Sequence, residues 1–319
     1  MKPKIVVLDG YVANPGDLSW DALAALGDLV VYDRTAPGQI VERAAGAVAV
    51  FTNKVVLDAE KIKALPGLKF IGVLATGYNN VDIVAARRAG IDVCNVPAYS
   101  THSVAQLVFA HILQITNHVG RHSTSVKKGG WQHCQDFSYR LTPIIELAGL
   151  TMGIYGLGNI GREVARIADA FSMKVIALTS KMQYELPDFI TAVDKDELFR
   201  QSDVLVLCAP LTAGNSRFVN DRTLAMMKPD AILINTARGG LVDSNALAKA
   251  LDSGRIYAAG VDVLDREPPT EDEPLLGCTG CYITPHVAWQ SDVARRRLLD
   301  VSAANFAVFL AGAPQNVVN

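Results

Sequence analysis

The sequence predicts an α/β protein built from two doubly wound parallel-sheet domains. Short β-branched runs alternate with helix-like stretches along nearly the whole chain, one glycine-rich turn joins such a run to the helix after it, and 319 residues exceed what one compact core usually holds.

In order, strand-like runs at 4–8, 29–32, 47–51 and 70–73 are followed by helix-like segments at 18–25, 40–45, 59–65 and 85–89. Such βα repetition builds a parallel sheet. This first lobe closes near Asn95-Val96-Pro97. A proline-free stretch from 103 to 126 carries Val104, Leu107, Val108, Ile112, Leu113 and Ile115 at helical spacing. One helix of roughly 35 Å is expected there, long enough to cross between lobes or to cover a dimer partner. A second alternation then places strands at 152–155, 175–178, 204–209, 231–235, 258–263 and 282–284, and the chain reads as helical again over 288–312. The expected division is 1–100 with 288–319 as one domain and 101–287 as the other.

Thirty Lys and Arg against 32 Asp and Glu leave a formal net charge of −2. No strong field is available to gather nucleic acid or an anionic membrane surface, so a small molecule is the expected partner. No apolar run reaches membrane-spanning length, and the start, MKPKIVVLDG, enters a strand at once without the features of a signal peptide. The five cysteines (Cys94, Cys134, Cys208, Cys278, Cys281) are an odd, scattered set, which points to a reducing cytoplasm.

Gly156-Leu157-Gly158-Asn159-Ile160-Gly161 follows the strand-like 151–155 directly and opens a helix with Val164, Ala165, Ile167, Ala168 and Phe171 on one face. The glycines permit a tight turn, close backbone approach to a pyrophosphate and close helix packing, while the helix N-terminus supplies N–H groups. A dinucleotide is therefore expected here. The carboxylate that would hold the adenosine ribose should close the next strand, but that strand ends in Thr179-Ser180-Lys181. Nothing there repels a 2′-phosphate and Lys181 can pair with one. The alternative is a solvated lysine with NAD held by hydroxyls, so NAD and NADP both stay open.

Reduction of a 2-oxo acid needs a cation for the carboxylate, a general acid for the forming alkoxide and a hydride donor. Arg238, Glu267 and His286 each follow a strand of the second lobe, and in doubly wound sheets ligands sit at the carboxyl ends of strands. A guanidinium meets a carboxylate as a planar fork. A carboxylate beside an imidazole orients it and favours its proton. No metal is expected: Cys278-Thr279-Gly280-Cys281 lacks the second pair that a structural zinc site needs, and His118 and His122, four apart without a third ligand, read as exposed polar residues.

The ordered motifs Gly-x-Gly-x-x-Gly, Asn-Thr-Ala-Arg-Gly, Gly-Val-Asp-Val, Arg-Glu-Pro and Thr-Pro-His resemble, over essentially the whole chain, the D-isomer-specific 2-hydroxyacid dehydrogenases, and among them the glycerate dehydrogenases or hydroxypyruvate (glyoxylate) reductases. The resemblance implies a flavodoxin-like substrate domain and a Rossmann NAD(P)-binding domain, in a cytoplasmic homodimer. It implies Arg238 as the substrate-binding cation, His286 as proton donor and acceptor, and Glu267 as its partner. It places Asp262 at the nicotinamide carboxamide, and adds Val104, Pro210, Thr236 and Ala237, with Arg238 and His286, to the cofactor contacts. Backbone amides of Ala75, Thr76 and Gly77 would bind the substrate carboxylate across the cleft between lobes. Trp289 either walls the substrate pocket or packs in the core, and Lys54 either faces the cleft or is solvated. The preferred acid is expected to be hydroxypyruvate or glyoxylate, going to D-glycerate or glycolate. The alternatives are a D-lactate or branched 2-oxo acid reductase, or a dinucleotide-sensing protein of corepressor type. The lack of a Pro- or Ser-rich tail before Asn319 speaks against the last.

Overall fold

The computed structural model describes residues 2–319. The chain divides into two compact units: residues up to Ser100 with Trp289–Asn319, and Thr101–Ala288.

Unit 1 begins β1 (Lys4–Val7), α1 (Asp21–Ala24), β2 (Asp28–Val31), α2 (Ile40–Ala44), β3 (Ala49–Thr52), α3 (Ala59–Lys63), β4 (Phe70–Val73), α4 (Ile83–Arg88) and β5 (Asp92–Cys94). All its strands are parallel, in the order β2-β1-β3-β4-β5, the flavodoxin-like order. Strands β3 and β4 are buried along their whole length while edge strand β2 alternates exposed and half-buried. Helices cover both faces of the central strands, which is why those strands read as unbroken apolar runs rather than alternating ones.

Unit 2 comprises α5 (Thr101–Asn117), α6 (Val119–Lys127), β6 (Thr151–Tyr155), α7 (Asn159–Ala170), β7 (Lys174–Leu178), β8 (Ile190–Ala192), α8 (Lys195–Gln201), β9 (Val204–Leu207), α9 (Asp221–Leu224), β10 (Ile232–Asn235), α10 (Ser244–Asp252), β11 (Ala258–Val261) and β12 (Cys281–Ile283). Its seven parallel strands run β12-β11-β10-β9-β6-β7-β8. The winding reverses between β6 and β9, and that switch point is where such sheets bind dinucleotides. The chain returns to unit 1 as α11 (Asp292–Leu310), whose Phe306 is fully buried with its ring 6.1 Å from Phe51 and 5.2 Å from Phe70.

Two expectations change. The helix expected over 103–126 breaks at His118, which takes the left-handed conformation (φ 48°) between α5 and α6. A continuous helix would direct the Gly120 N–H to the carbonyl of Thr116; that carbonyl instead accepts from Ile145 N at 3.1 Å. Strands β5 (Asp-Val-Cys) and β8 (Ile-Thr-Ala), three residues each, were not predicted, because neither has the unbroken apolar run that marks β12 (Cys-Tyr-Ile).

Candidate active site

The glycine turn is shaped by close contacts. Gly156 has φ 92°, and a Cβ on it would stand 2.7 Å from Ala209 N; a Cβ on Gly161 would stand 2.2 Å from the Gly156 carbonyl. Only glycine fits either place. At Gly158, the N-cap of α7, a Cβ would meet nothing within 4 Å, and no side chain caps the helix. The first-turn N–H groups of α7, with Asn159 exposed and Ile160 half-buried among them, are thus available to an anion, as a pyrophosphate requires. Thr236 Oγ1, at the end of β10, is buried and among the described residues lacks a hydrogen-bond partner. An open backbone cradle and an orphaned hydroxyl are what a bound dinucleotide would complete.

At the end of β7, Ser180 is exposed, and Thr179 and Lys181 are half-buried with Lys181 N donating to Thr179 Oγ1 at 3.3 Å. The nearby carboxylate of Glu185 is engaged by Met182 N at 2.7 Å. Pro210 is exposed, Val104 buried and Ala237 half-buried.

Adjacent strands β10, β11 and β12 place the reactive groups along one edge. Asn235, 1% exposed, accepts from Ala237 N at 3.1 Å and donates to the Arg238 carbonyl at 2.9 Å, folding the turn that presents Arg238. The Arg238 side chain is exposed, donates to its neighbour's carbonyl, Ala237 O, at 2.7 Å, and is in no ion pair among the described residues. A Cβ on Gly239 would lie 2.0 Å from Leu264 C, so this glycine lets the Arg238 turn lie against the 264–267 loop. In that loop Glu267 accepts from Leu264 N (3.0 Å), and its other oxygen meets His286 Nδ1 at 2.6 Å. A carboxylate only accepts, so Nδ1 carries the proton and Nε2 is the nitrogen free for exchange.

His286 is held in the left-handed region (φ 54°), at a cost of about 1 kcal/mol. Its N–H donates to the Asp262 carbonyl at 2.8 Å. The Asp262 carboxylate, in a residue 1% exposed, accepts from Thr284 Oγ1 (2.6 Å), Val287 N (2.8 Å) and Ala288 N (2.9 Å), clamping both sides of His286.

In unit 1, Asp9 accepts from the N–H of Asn53 (2.8 Å), Lys54 (2.6 Å) and Val55 (2.9 Å). Asn53 Nδ2 donates to Leu74 O at 2.6 Å, Thr76 Oγ1 to Val96 O at 2.8 Å, and Asn95 Nδ2 to Thr76 O at 2.7 Å. The exposed Lys54 and the 75–77 turn, with Thr76 exposed and Ala75 and Gly77 half-buried, are therefore held on fixed backbone. Trp289 is 8% exposed and packs in the unit 1 core, edge-on to Tyr99 at 6.3 Å.

The expectation of two exposed histidines needs correction: His118 is buried at 8% exposure, and His122 is half-buried, its Nε2 accepting from Leu141 N at 3.1 Å. Among the described residues no group of three or more His, Cys, Asp or Glu is arranged to hold a metal. Burial pushes the thiols of Cys94, Cys208 and Cys281 up to about 12, leaving them protonated and inert.

Asn235, Gly239 and Thr284 are site-building residues whose roles sequence reasoning missed. All three stood inside the quoted Asn-Thr-Ala-Arg-Gly and Thr-Pro-His motifs, where a polar residue closing an apolar strand was the available signal for Asn235 and Thr284.

A glycine turn at a switch point defines a nucleotide binder. The imidazole–carboxylate pair and the unpaired guanidinium on neighbouring strand ends add proton transfer and anion binding, and place the chain among nicotinamide-dependent oxidoreductases. The family model described as "D-isomer specific 2-hydroxyacid dehydrogenase, NAD binding domain" matches residues 109–288. The chain is 44% identical over 320 residues to a hydroxypyruvate reductase of Blautia hydrogenotrophica, covering 99% of each. It is 41% identical over 290 residues to a glycerate dehydrogenase of Methylorubrum extorquens, covering 90% of each. Among solved structures it matches an NADPH-dependent glyoxylate/hydroxypyruvate reductase of Sinorhizobium meliloti in complex with NADP and malonate, with TM-score 0.83 and 26% identity over 98% of this chain and 94% of that one. The chain belongs to the D-isomer specific 2-hydroxyacid dehydrogenase family. It is an enzyme, with NAD or NADP as cofactor.

Proposed function

We propose that this enzyme reduces hydroxypyruvate or glyoxylate to D-glycerate or glycolate. The His286–Glu267 pair at 2.6 Å, one strand from the unpaired Arg238, carries the reading, and the relatives' activities support the substrate. Arg238 binds the substrate carboxylate as a fork. His286 Nε2 delivers a proton to the oxygen that becomes the hydroxyl, and in the reverse direction removes it. Glu267 keeps the ring oriented and stabilises the imidazolium. Bound NADH or NADPH supplies the hydride; the N–H groups of α7 would hold its pyrophosphate, Thr179 to Lys181 its adenosine end, and Thr236 and Asp262 its nicotinamide end.

The test is absorbance-followed oxidation of NADH and NADPH with hydroxypyruvate, glyoxylate and pyruvate. Faster turnover of either of the first two supports the proposal. A preference for pyruvate moves it to a D-lactate type reductase, and dinucleotide binding without turnover of any of the three overturns it.

The same reading has the enzyme act as a homodimer in the cytoplasm. Val119, Trp131, Phe137 and Ile144, in a single stretch of unit 2, are each at least half exposed, Phe137 at 90%, which is costly unless a second copy covers them. Light-scattering mass checks this: a monomer at micromolar concentration removes the dimer. No helix among the described residues is long and apolar enough to cross a membrane.

A further inference from the structure

The clamp on His286 does not end at Asp262. Thr284 Oγ1 donates its one hydrogen to Asp262 at 2.6 Å, so its contact with His111 Nε2 at 3.1 Å requires the imidazole N–H to donate. His111 lies on α5, is 5% exposed, and is seated against β11 where Gly260 lacks a side chain. A Cβ at Gly260 would stand 2.8 Å from His111 Cβ and 2.9 Å from its Nδ1. The strand is thus relieved at the one place where the imidazole needs room. Burial disfavours the charged ring, with Asp262 pulling the other way. A neutral Nε2–H tautomer is the form that feeds Thr284.

We propose that His111 is a positioning residue for the proton-transfer group: by donating to Thr284, which donates to Asp262, it fixes the acceptor that holds Val287 and Ala288 and so the left-handed turn at His286. The chain is directional. Every hydrogen points toward the Asp262 carboxylate, which can only accept, so loss of the first donor leaves Thr284 free to turn away and the clamp one contact short. The proposal rests on the reading of His286 as acid and base.

The test is the single-turnover rate of cofactor oxidation in the full enzyme, beside the KM for the 2-oxo acid, cofactor affinity and thermal stability. His111→Leu should slow the chemical step about fivefold with cofactor affinity kept, and His111→Gln, whose amide nitrogen can donate from a similar place, should recover most of it. In a Thr284→Val background, His111→Leu should cost nothing further, because the link is already cut. An unchanged rate in His111→Leu, or the same slowing in both backgrounds, overturns the proposal. Should His111→Leu fail to fold, Thr284→Val against Thr284→Ser reads the same chain, and equal rates in that pair overturn it. Failure of the underlying reading looks different: His286→Ala would then keep its turnover.

Discussion

Asp9, just past β1 in unit 1, accepts three backbone N–H groups from the 53–55 loop, and Asp262, just past β11 in unit 2, accepts the Thr284 hydroxyl and the N–H groups of Val287 and Ala288. Both sheets thus use a carboxylate at a strand end to hold a neighbouring loop. What the loops carry differs. In unit 1 the clamp sits beneath an exposed lysine; in unit 2 it brackets a histidine in a strained conformation and aims its ring at Glu267. One architecture can therefore present a lone cation or an imidazole–carboxylate pair, depending on the residue that the clamped loop carries.

The largest effect should come from removing that imidazole. His286→Ala is expected to lower kcat about a thousandfold with cofactor affinity little changed; stopped-flow oxidation and fluorescence titration of NADH measure the two, and near-normal turnover would erase the contrast between the edges. Arg238→Ala should lower kcat/KM for the 2-oxo acid about a hundredfold, and a retained KM would remove Arg238 from substrate binding. The clamps can be compared directly. Asp9→Asn and Asp262→Asn should each cost about 1–3 kcal/mol of stability, read by urea melts. The kinetic consequences should separate, with KM rising for Asp9→Asn and kcat falling for Asp262→Asn. If both variants move the same parameter, the two clamps serve one purpose. The smallest effect is at the cofactor: Lys181→Glu should lower the preference for NADPH over NADH by about fivefold, and an unchanged ratio would make Lys181 a solvated loop residue.

Much of this was legible in the sequence because it is local. Buried parallel strands write themselves as apolar runs, and Gly156, Gly158 and Gly161 mark a turn by their spacing, although of their steric reasons only that of Gly161, the Gly156 carbonyl, is local, since Gly156 is confined by Ala209. Arg238, Glu267 and His286 stand just past strands that periodicity finds. What was not legible depends on distant partners. The His111–Thr284 bond spans 173 positions, and nothing near His111 in the chain distinguishes it from other polar residues of an amphipathic helix. The break at His118 depends on Ile145 claiming a carbonyl of the helix, a competition that helical spacing cannot register. Gly239 resembles any loop glycine until the Leu264 backbone is seen against it.

The division of unit 1 also sets an order of events during synthesis. Its five strands are made first, but Phe306, which seals Phe51 and Phe70, and Arg295, which donates to Asp17 at 2.8 Å, belong to a helix that leaves the ribosome only after all of unit 2. Unit 2 is one uninterrupted segment and can finish its core first. The part of the enzyme translated earliest is thus the last to be completed, and its apolar sheet face is what a nascent-chain chaperone would have to shield meanwhile.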